Sequence, residues 1–144
     1  MRLKALSFTA LLLVTLSSCM TIQLAPSYSE NIEKQIIETQ KINEKLYLTL
    51  LSKPEGKRTY SDFEKEYIEI ESNINSIYFQ ISNREKNTDF LIMINKLKDN
   101  FLQYKQEHRE KVILKEGEII LYMRYINDFY VPLLFSEKAL KTIK

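Results

Sequence analysis

The chain is 144 residues long, which is enough for one domain with a hydrophobic core. It carries 21 basic and 19 acidic residues, a formal net charge of +2, and its lysines and glutamates are interspersed along its length. That pattern is typical of solvated helix surfaces, whereas nucleic-acid binding needs a concentrated cationic footprint. The composition therefore excludes nucleic acid as a partner, and the single cysteine excludes an internal disulfide.

The N-terminus begins with a short apolar segment. Arg2 and Lys4 precede a 12-residue, mainly apolar run from Ala5 to Leu16, which is the layout of a signal peptide. The run is too short for a helix that crosses a bilayer, because such a helix needs roughly 20 apolar residues. We therefore predict a cleaved helical signal peptide over residues 1–18. Its removal leaves 126 residues with 19 basic and 19 acidic side chains, so the mature chain is formally neutral.

The residues that follow this run carry a more specific signal. Leu16, Ser17, Ser18 and Cys19 stand in the order of the bacterial lipobox, and in this respect the chain resembles small bacterial lipoproteins. The resemblance implies that a signal peptidase recognises Leu16, Ser17 and Ser18, and that Cys19 carries a diacylglyceryl group and an acyl chain such as palmitate. Met20 would then be the sorting residue and favours the outer membrane. The alternative is that Cys19 is a buried small hydrophobic residue.

Lipidation would confine the protein to the cell envelope. Residues 19–27 are expected to form the acylated cysteine and a short tether, which spans less than about 30 Å at roughly 3.3 Å per residue. Two or three acyl chains bind a bilayer firmly, since each buried methylene contributes about 0.8 kcal/mol. In a Gram-negative host we expect a membrane anchor in the outer membrane, facing the periplasm. Residues 28–144 then form a single helical domain.

The first two predicted helices follow the tether. The first covers residues 27–52 and places two polar residues, Thr39 and Asn43, in the middle of its apolar seam. In the second, apolar residues recur at steps of four and three, which marks one face of a helix. That series consists of Phe63, Tyr67, Ile70, Ile74, Ile77 and Ile81. A capping box from Ser61 to Glu64 predicts where this helix begins.

Two further helices complete the predicted fold. The third covers residues 88–114, and Gly117 is expected to close it in the left-handed conformation. Its apolar face consists of Phe90, Ile94, Leu97, Phe101, Tyr104 and His108. The fourth covers residues 118–142, and Pro132 inside it predicts a kink between residues 128 and 133. Its stripe consists of Ile119, Tyr122, Ile126, Phe129 and Leu133. Four helices with short connections predict an all-α, antiparallel four-helix bundle.

The residues predict neither a catalytic site nor a metal site. Two glycines are too few for a phosphate-binding loop, and no serine lies in a nucleophile-elbow context. Di-iron bundles need Glu-x-x-His on two helices, whereas the only histidine, His108, has Lys105 three residues before it. We interpret His108 as a packed or capping residue. We therefore expect a protein that is not an enzyme, without a metal and without a cofactor beyond its covalent lipid.

The most aromatic stretch is residues 122–135, YMRYINDFYVPLLF. One interpretation is that the fourth helix is the most enclosed of the four, because helices that are apolar all round are usually buried. The other is that one side of it docks another protein, with aromatic anchors around an arginine. The candidate partner-binding residues are Tyr122, Arg124, Tyr125 and Phe129.

Three functions remain open from the sequence. The first is a membrane-anchored envelope lipoprotein that binds another envelope protein without catalysis, in an exclusion or assembly-accessory role. In size and layout the chain resembles secretin pilotins and the exclusion lipoproteins of phages and plasmids. The second is a lipid-tethered small-ligand carrier or enzyme, whose pocket between helices is lined by Thr39 and Asn43 and opened by the Pro132 kink. The third is an orphan structural lipoprotein of phage or mobile-element origin.

Overall fold

The structure is a computed structural model that describes residues 25–143. The predicted signal peptide, Cys19 and Met20 lie outside the described residues. Four long helices account for most of the described chain, and two short 3-10 turns, Glu55–Lys57 and Leu140–Thr142, follow α1 and α4. The helices are α1 (Glu30–Ser52), α2 (Tyr60–Ser82), α3 (Thr88–Lys111) and α4 (Glu116–Ala139).

The four helices pack as a ring in which each contacts two neighbours. Helix α1 packs on α2 and α4, and helix α3 packs on the same two helices from the opposite side. Short connections make consecutive helices antiparallel, as shown by Gln80 near the end of α2, which hydrogen-bonds Asn31 and Gln35 near the start of α1. The prediction of an all-α four-helix bundle is confirmed.

The seams predicted for α2 and α3 form the centre of the core. Every residue of the two predicted series is buried, and eight of these twelve side chains are fully inaccessible to solvent. Tyr67 and Phe101 lie 6.0 Å apart between ring centres, so aromatic contacts join the two helices in the middle of the bundle. A period of 3.5 residues was sufficient to identify these inward faces because each helix has only one apolar side.

The predicted capping box at the start of α2 is wrong. The helix begins at Tyr60, two residues after Arg58, and Thr59 is its cap residue. The Thr59 hydroxyl donates a hydrogen bond to the Asp62 carboxylate at 2.7 Å. The Tyr60 amide donates to the Val112 carbonyl at 3.2 Å, so the loop before α4 fixes the start of α2. This long-range bond is the physical reason for the shift.

The predicted end of α3 is also wrong. The helix ends at Lys111, and Val112 rather than Gly117 adopts a positive φ, of 66°. Gly117 lies inside the first turn of α4, which begins at Glu116. The Glu118 carboxylate accepts a hydrogen bond from the Lys115 amide at 3.0 Å and thereby stabilises this earlier start.

Helix α4 runs without interruption through Pro132, which has no amide to donate to the Asp128 carbonyl. The predicted inward stripe is correct at four positions and wrong at Phe129, which is half-buried. Tyr130 takes its place and is fully buried. The inward series therefore steps from Ile126 to Tyr130 to Leu133, and Phe129 is left at the edge of the core.

Helix α1 begins three residues later than predicted. Ser29 caps it, and the Ser29 hydroxyl accepts a hydrogen bond from the Ile32 amide at 3.3 Å. The two polar seam residues are both buried. The Thr39 hydroxyl donates to the Gln35 carbonyl at 2.7 Å, whereas the side-chain amide of Asn43 has no hydrogen-bond partner among the described residues.

Candidate docking surface

Tyr122, the first candidate docking residue, lies in the core and is only 5% exposed. Its ring stacks on Tyr104, with 4.4 Å between the ring centres. Its hydroxyl donates a hydrogen bond to the Glu107 carboxylate and accepts one from Lys111. Burial and the Glu107 carboxylate raise the pKa of Tyr122 to about 12. Tyr122 therefore joins α3 to α4 and does not contribute to an outward surface.

The other three candidates divide between the surface and the edge of the core. Arg124 and Tyr125 are exposed, and 45% of Tyr125 is accessible to solvent. Phe129 is half-buried and packs against the core cluster. The structure thus places Arg124 and Tyr125 on one outward face and separates both from Tyr122.

The outward face of α4 is unusually apolar. Between Ile119 and Ser136 the helix carries only two charged residues, Arg124 and Asp128. We call its six central exposed positions the outer stripe, and they comprise Gly117, Leu121, Arg124, Asp128, Val131 and Phe135. Phe135 is 74% exposed and Val131 is 57% exposed. The interpretation that α4 is the most enclosed helix is therefore wrong, because its side opposite the core faces solvent.

Alanine substitutions on α4 are expected to distinguish exposed from buried side chains by their effect on the free energy of unfolding. We expect Tyr125→Ala to change the free energy of unfolding by less than about 0.5 kcal/mol, because the Tyr125 side chain lies at the surface and forms no hydrogen bond with another described residue. Phe129→Ala should lower it by about 1 kcal/mol, since half of a buried phenylalanine contribution is lost. Urea unfolding followed by circular dichroism measures both. Equal losses for the two variants would place Tyr125 in the core as well.

The two polar residues predicted to line a pocket between helices lie away from four surface grooves of the described chain. Four grooves of about 170 to 510 Å³ lie on the surface of the described chain and are open to solvent. Three of them lie along α1 or between α1 and α2, and the fourth lies beside Arg84. Neither Thr39 nor Asn43 lines any of these four grooves.

His108 is a structural residue between α3 and α2. It is fully buried, and its Nε2 lies 2.8 Å from the Arg58 carbonyl, which can only accept a hydrogen bond. Nε2 therefore carries the proton, and Nδ1 accepts a hydrogen bond from the Tyr67 hydroxyl at 3.0 Å. Burial lowers the pKa of His108, although the Arg58 carbonyl acts in the opposite direction. These contacts hold a neutral imidazole in place.

The end of the bundle where the tether enters contains a buried ion pair. Arg84 follows α2, and its Nη1 lies 2.9 Å from both carboxylate oxygens of Glu137 on α4. Glu137 is fully buried and also accepts a hydrogen bond from the Ser29 amide at 2.8 Å. Arg84 donates a further bond to the Ser27 carbonyl at 3.1 Å. Two loops and α4 thus fix the chain where the tether joins α1.

Sequence reasoning did not identify this pair. Glu137 lies near the end of a helix and Arg84 lies in a polar connection, and each is typical of a solvated charge. The six positions of the outer stripe, in contrast, do follow a pattern in the sequence, because they repeat at steps of four and three. Sequence reasoning did not single out this pattern, because the inward series on the same helix is more strongly apolar.

The described residues show no membrane-spanning helix and no metal-binding cluster. In residues 25–143 no helix is long and apolar enough to cross a membrane. The same residues contain no group of three or more histidine, cysteine or acidic side chains placed to hold a metal ion. No protein-family model, curated protein or solved structure matches the chain.

Proposed function

We propose that this protein is an envelope lipoprotein, anchored through lipidated Cys19, that binds another envelope protein through the outward face of α4 without catalysing a reaction. In a Gram-negative host the anchor lies in the outer membrane and the bundle faces the periplasm. The role is that of an exclusion or assembly-accessory protein. In this proposal the lipid on Cys19 is the only non-protein group that the chain carries.

The observation that carries the proposal is the exposed apolar face of α4. Leu121, Val131 and Phe135 are between 44% and 74% exposed, although the bundle already has a complete core on the other side of the same helix. Contiguous exposed apolar residues mark protein or membrane contact sites more often than chance. Arg124 belongs to this face and Tyr125 lies beside it. Tyrosine and arginine are enriched among the residues that contribute most of the binding energy at protein interfaces.

The expected tether restricts where a partner of α4 can lie. Residues 19–27 are too short to move the bundle more than about 30 Å from the lipid. The Ser27 carbonyl and the Ser29 amide are held by Arg84 and Glu137, so the bundle is fixed close to the point where this segment joins it. A partner that meets α4 must therefore be exposed close to the membrane surface.

Site-specific crosslinking in the producing cell tests the proposal. We expect a photoreactive phenylalanine analogue at Tyr125 to crosslink to one recurrent envelope protein. The matched control is Phe79 on α2, which is 68% exposed and faces away from α4. The Cys19→Ser variant should keep its signal peptide, carry no lipid and lose the crosslink, as intact mass and crosslinking would show.

Two results would contradict the proposal. An unmodified thiol at Cys19 in material from the producing cell would exclude the lipid anchor. Crosslinks of equal yield and identity from Tyr125 and Phe79 would mean that α4 has no preferred partner. In that case the orphan structural role would be the better description.

A further inference from the structure

The outer stripe has the spacing of a second helix-packing seam. Its six residues recur at steps of four, three, four, three and four, which is the a and d pattern of a coiled coil. All six are exposed. The inward residues of α4 pack into the core of the bundle. The outer stripe lies on the other side of the helix, and no helix of the described structure packs against it.

The outer stripe is symmetric about Ile126. Arg124 and Asp128 lie two residues before and after this centre, and Leu121 and Val131 lie five residues before and after it. Gly117 and Phe135, the outermost members, lie nine residues before and after Ile126. A two-fold axis through the centre of the stripe would therefore bring each member opposite its counterpart when two copies of α4 run antiparallel.

The chemistry of the facing pairs is complementary. Arg124 of one copy meets Asp128 of the other, and Leu121 meets Val131. Phe135, 74% exposed, meets Gly117, where a Cβ would have nothing within 4 Å. A large side chain therefore faces an open position. Parallel pairing would place arginine against arginine and aspartate against aspartate, which disfavours that arrangement.

The two charges are available for such pairing. Neither Arg124 nor Asp128 forms an ion pair or a side-chain hydrogen bond with another described residue. Charges in the middle of an otherwise apolar seam reduce its strength and define its register and orientation. We propose that the outer stripe binds a second copy of this chain, forming an antiparallel, two-fold symmetric dimer in which Arg124 pairs with Asp128 across the interface.

The size of the surface indicates a reversible dimer. From Leu121 to Phe135 the stripe is about 20 Å long and one helix, about 10 Å, wide. Stable interfaces bury about 800 Å² on each partner, which is several times that footprint. Dissociation would free the same face for another protein. The pairing itself does not depend on the proposed function, whereas the inference that it competes with partner binding rests on that function.

The dimer is compatible with two anchors in one membrane. The tethers leave at opposite ends of the antiparallel pair, so the helix axes would lie along the membrane with the two-fold axis perpendicular to it. Each tether then has to cover only about the radius of a bundle, which is within the reach of the residues between Cys19 and Ala25.

Charge reversal tests the pairing without disturbing the core. The protein to use is residues 19–144 with Cys19→Ser, which retains every described residue and the core cluster that they form. Sedimentation equilibrium up to millimolar concentration should show a dimer. Arg124→Asp or Asp128→Arg alone should weaken it at least about ten-fold, because like charges then face each other twice. The double variant should recover the original affinity, and a mixture of the two single variants should form a heterodimer.

Matched controls make each result decisive. Lys65→Asp on the exposed side of α2 changes the charge equally and should leave the dimer unaffected. A monomer at the highest concentration, or a dimer indifferent to both single reversals, would overturn the proposal. If the monomer instead floats with phosphatidylcholine vesicles in a manner that requires Phe135, the occupant of the face is a lipid surface and the proposal is likewise overturned. A dimer in solution combined with no crosslink from Tyr125 to a different protein in cells would contradict only the proposed function.

Discussion

Glu137→Ala is expected to lower the free energy of unfolding by about 3–5 kcal/mol, the usual cost of removing one member of a buried ion pair. Glu137 is fully buried and Arg84 is only 12% exposed, so the guanidinium would remain desolvated without its carboxylate. The Ser29 amide would lose its acceptor as well. Urea unfolding of the variant and the parent chain, followed by circular dichroism at equal pH and salt, measures the difference.

The neighbouring residue Glu85 supplies the control. It is exposed and forms no ion pair among the described residues, so Glu85→Ala should change stability by less than about 0.5 kcal/mol. Two Arg84 nitrogens, Nε and Nη2, are buried without a hydrogen-bond partner in the described chain. The pair is therefore incompletely satisfied, and the double variant Arg84→Met with Glu137→Leu should recover most of the loss. If Glu137→Ala costs no more than Glu85→Ala, the buried pair does not contribute to the folded state.

Acidification from pH 6.5 to pH 4.5 is expected to destabilise the protein through His108. Burial lowers the pKa of His108 in the folded state below its ordinary value of 6.5. The unfolded chain then binds the proton more tightly, so the stabilisation is fully present above pH 6.5 and is lost as the pH falls towards the folded-state pKa. The slope cannot exceed about 1.4 kcal/mol per pH unit, or about 2.7 kcal/mol over the interval.

His108 dominates this interval, because it is the only histidine in the chain. Four glutamates have folded-state pKa values lowered from 4.5, mainly by hydrogen bonds from lysine or tyrosine side chains, so most of their contribution to stability is lost below pH 4.5. They are Glu30, Glu33, Glu107 and Glu118. His108→Gln should therefore remove most of the slope between pH 6.5 and 4.5, even if its stability at pH 7 is lower. Urea midpoints that stay constant for the parent chain would show that the imidazole is not desolvated.

The parts of the fold that follow from local periodicity were predictable from the sequence. Helices α2 and α3 each have one apolar face, and their inward residues were identified correctly from Phe63 to Ile81 and from Phe90 to His108. Helix α4 has two apolar faces, so its period alone could not distinguish Phe129 from Tyr130 as the inward residue. The burial of Tyr130 depends on where α1 and α3 lie, which is a tertiary property.

The features that depend on contacts between distant residues were not predictable. The Val112 carbonyl accepts a hydrogen bond from the Tyr60 amide across more than fifty residues, and this contact lies at the start of α2 and just after the end of α3, two boundaries that were predicted wrongly. The ion pair between Arg84 and Glu137 likewise joins residues that are 53 positions apart. Of the candidate docking residues, Arg124 and Tyr125 are exposed, whereas Tyr122 is buried as its place in the inward stripe predicted. Its contacts with Glu107 and Tyr104 come from α3, so the sequence alone did not show that it is unavailable for docking.

The hydrogen bond from the Ser29 amide to Glu137 determines how a mechanical load would travel through the molecule. If Cys19 carries the proposed lipid, a pull on that lipid would reach the folded body at Ser27 to Ser29, where α4 and the loop holding Arg84 contact the chain. If a protein bound to the outward face of α4 moved against the membrane, the force would pass from the tether into α4 directly. The force would bypass the aromatic centre of the bundle. The protein could therefore carry a mechanical load between the membrane and a partner without unfolding of its core.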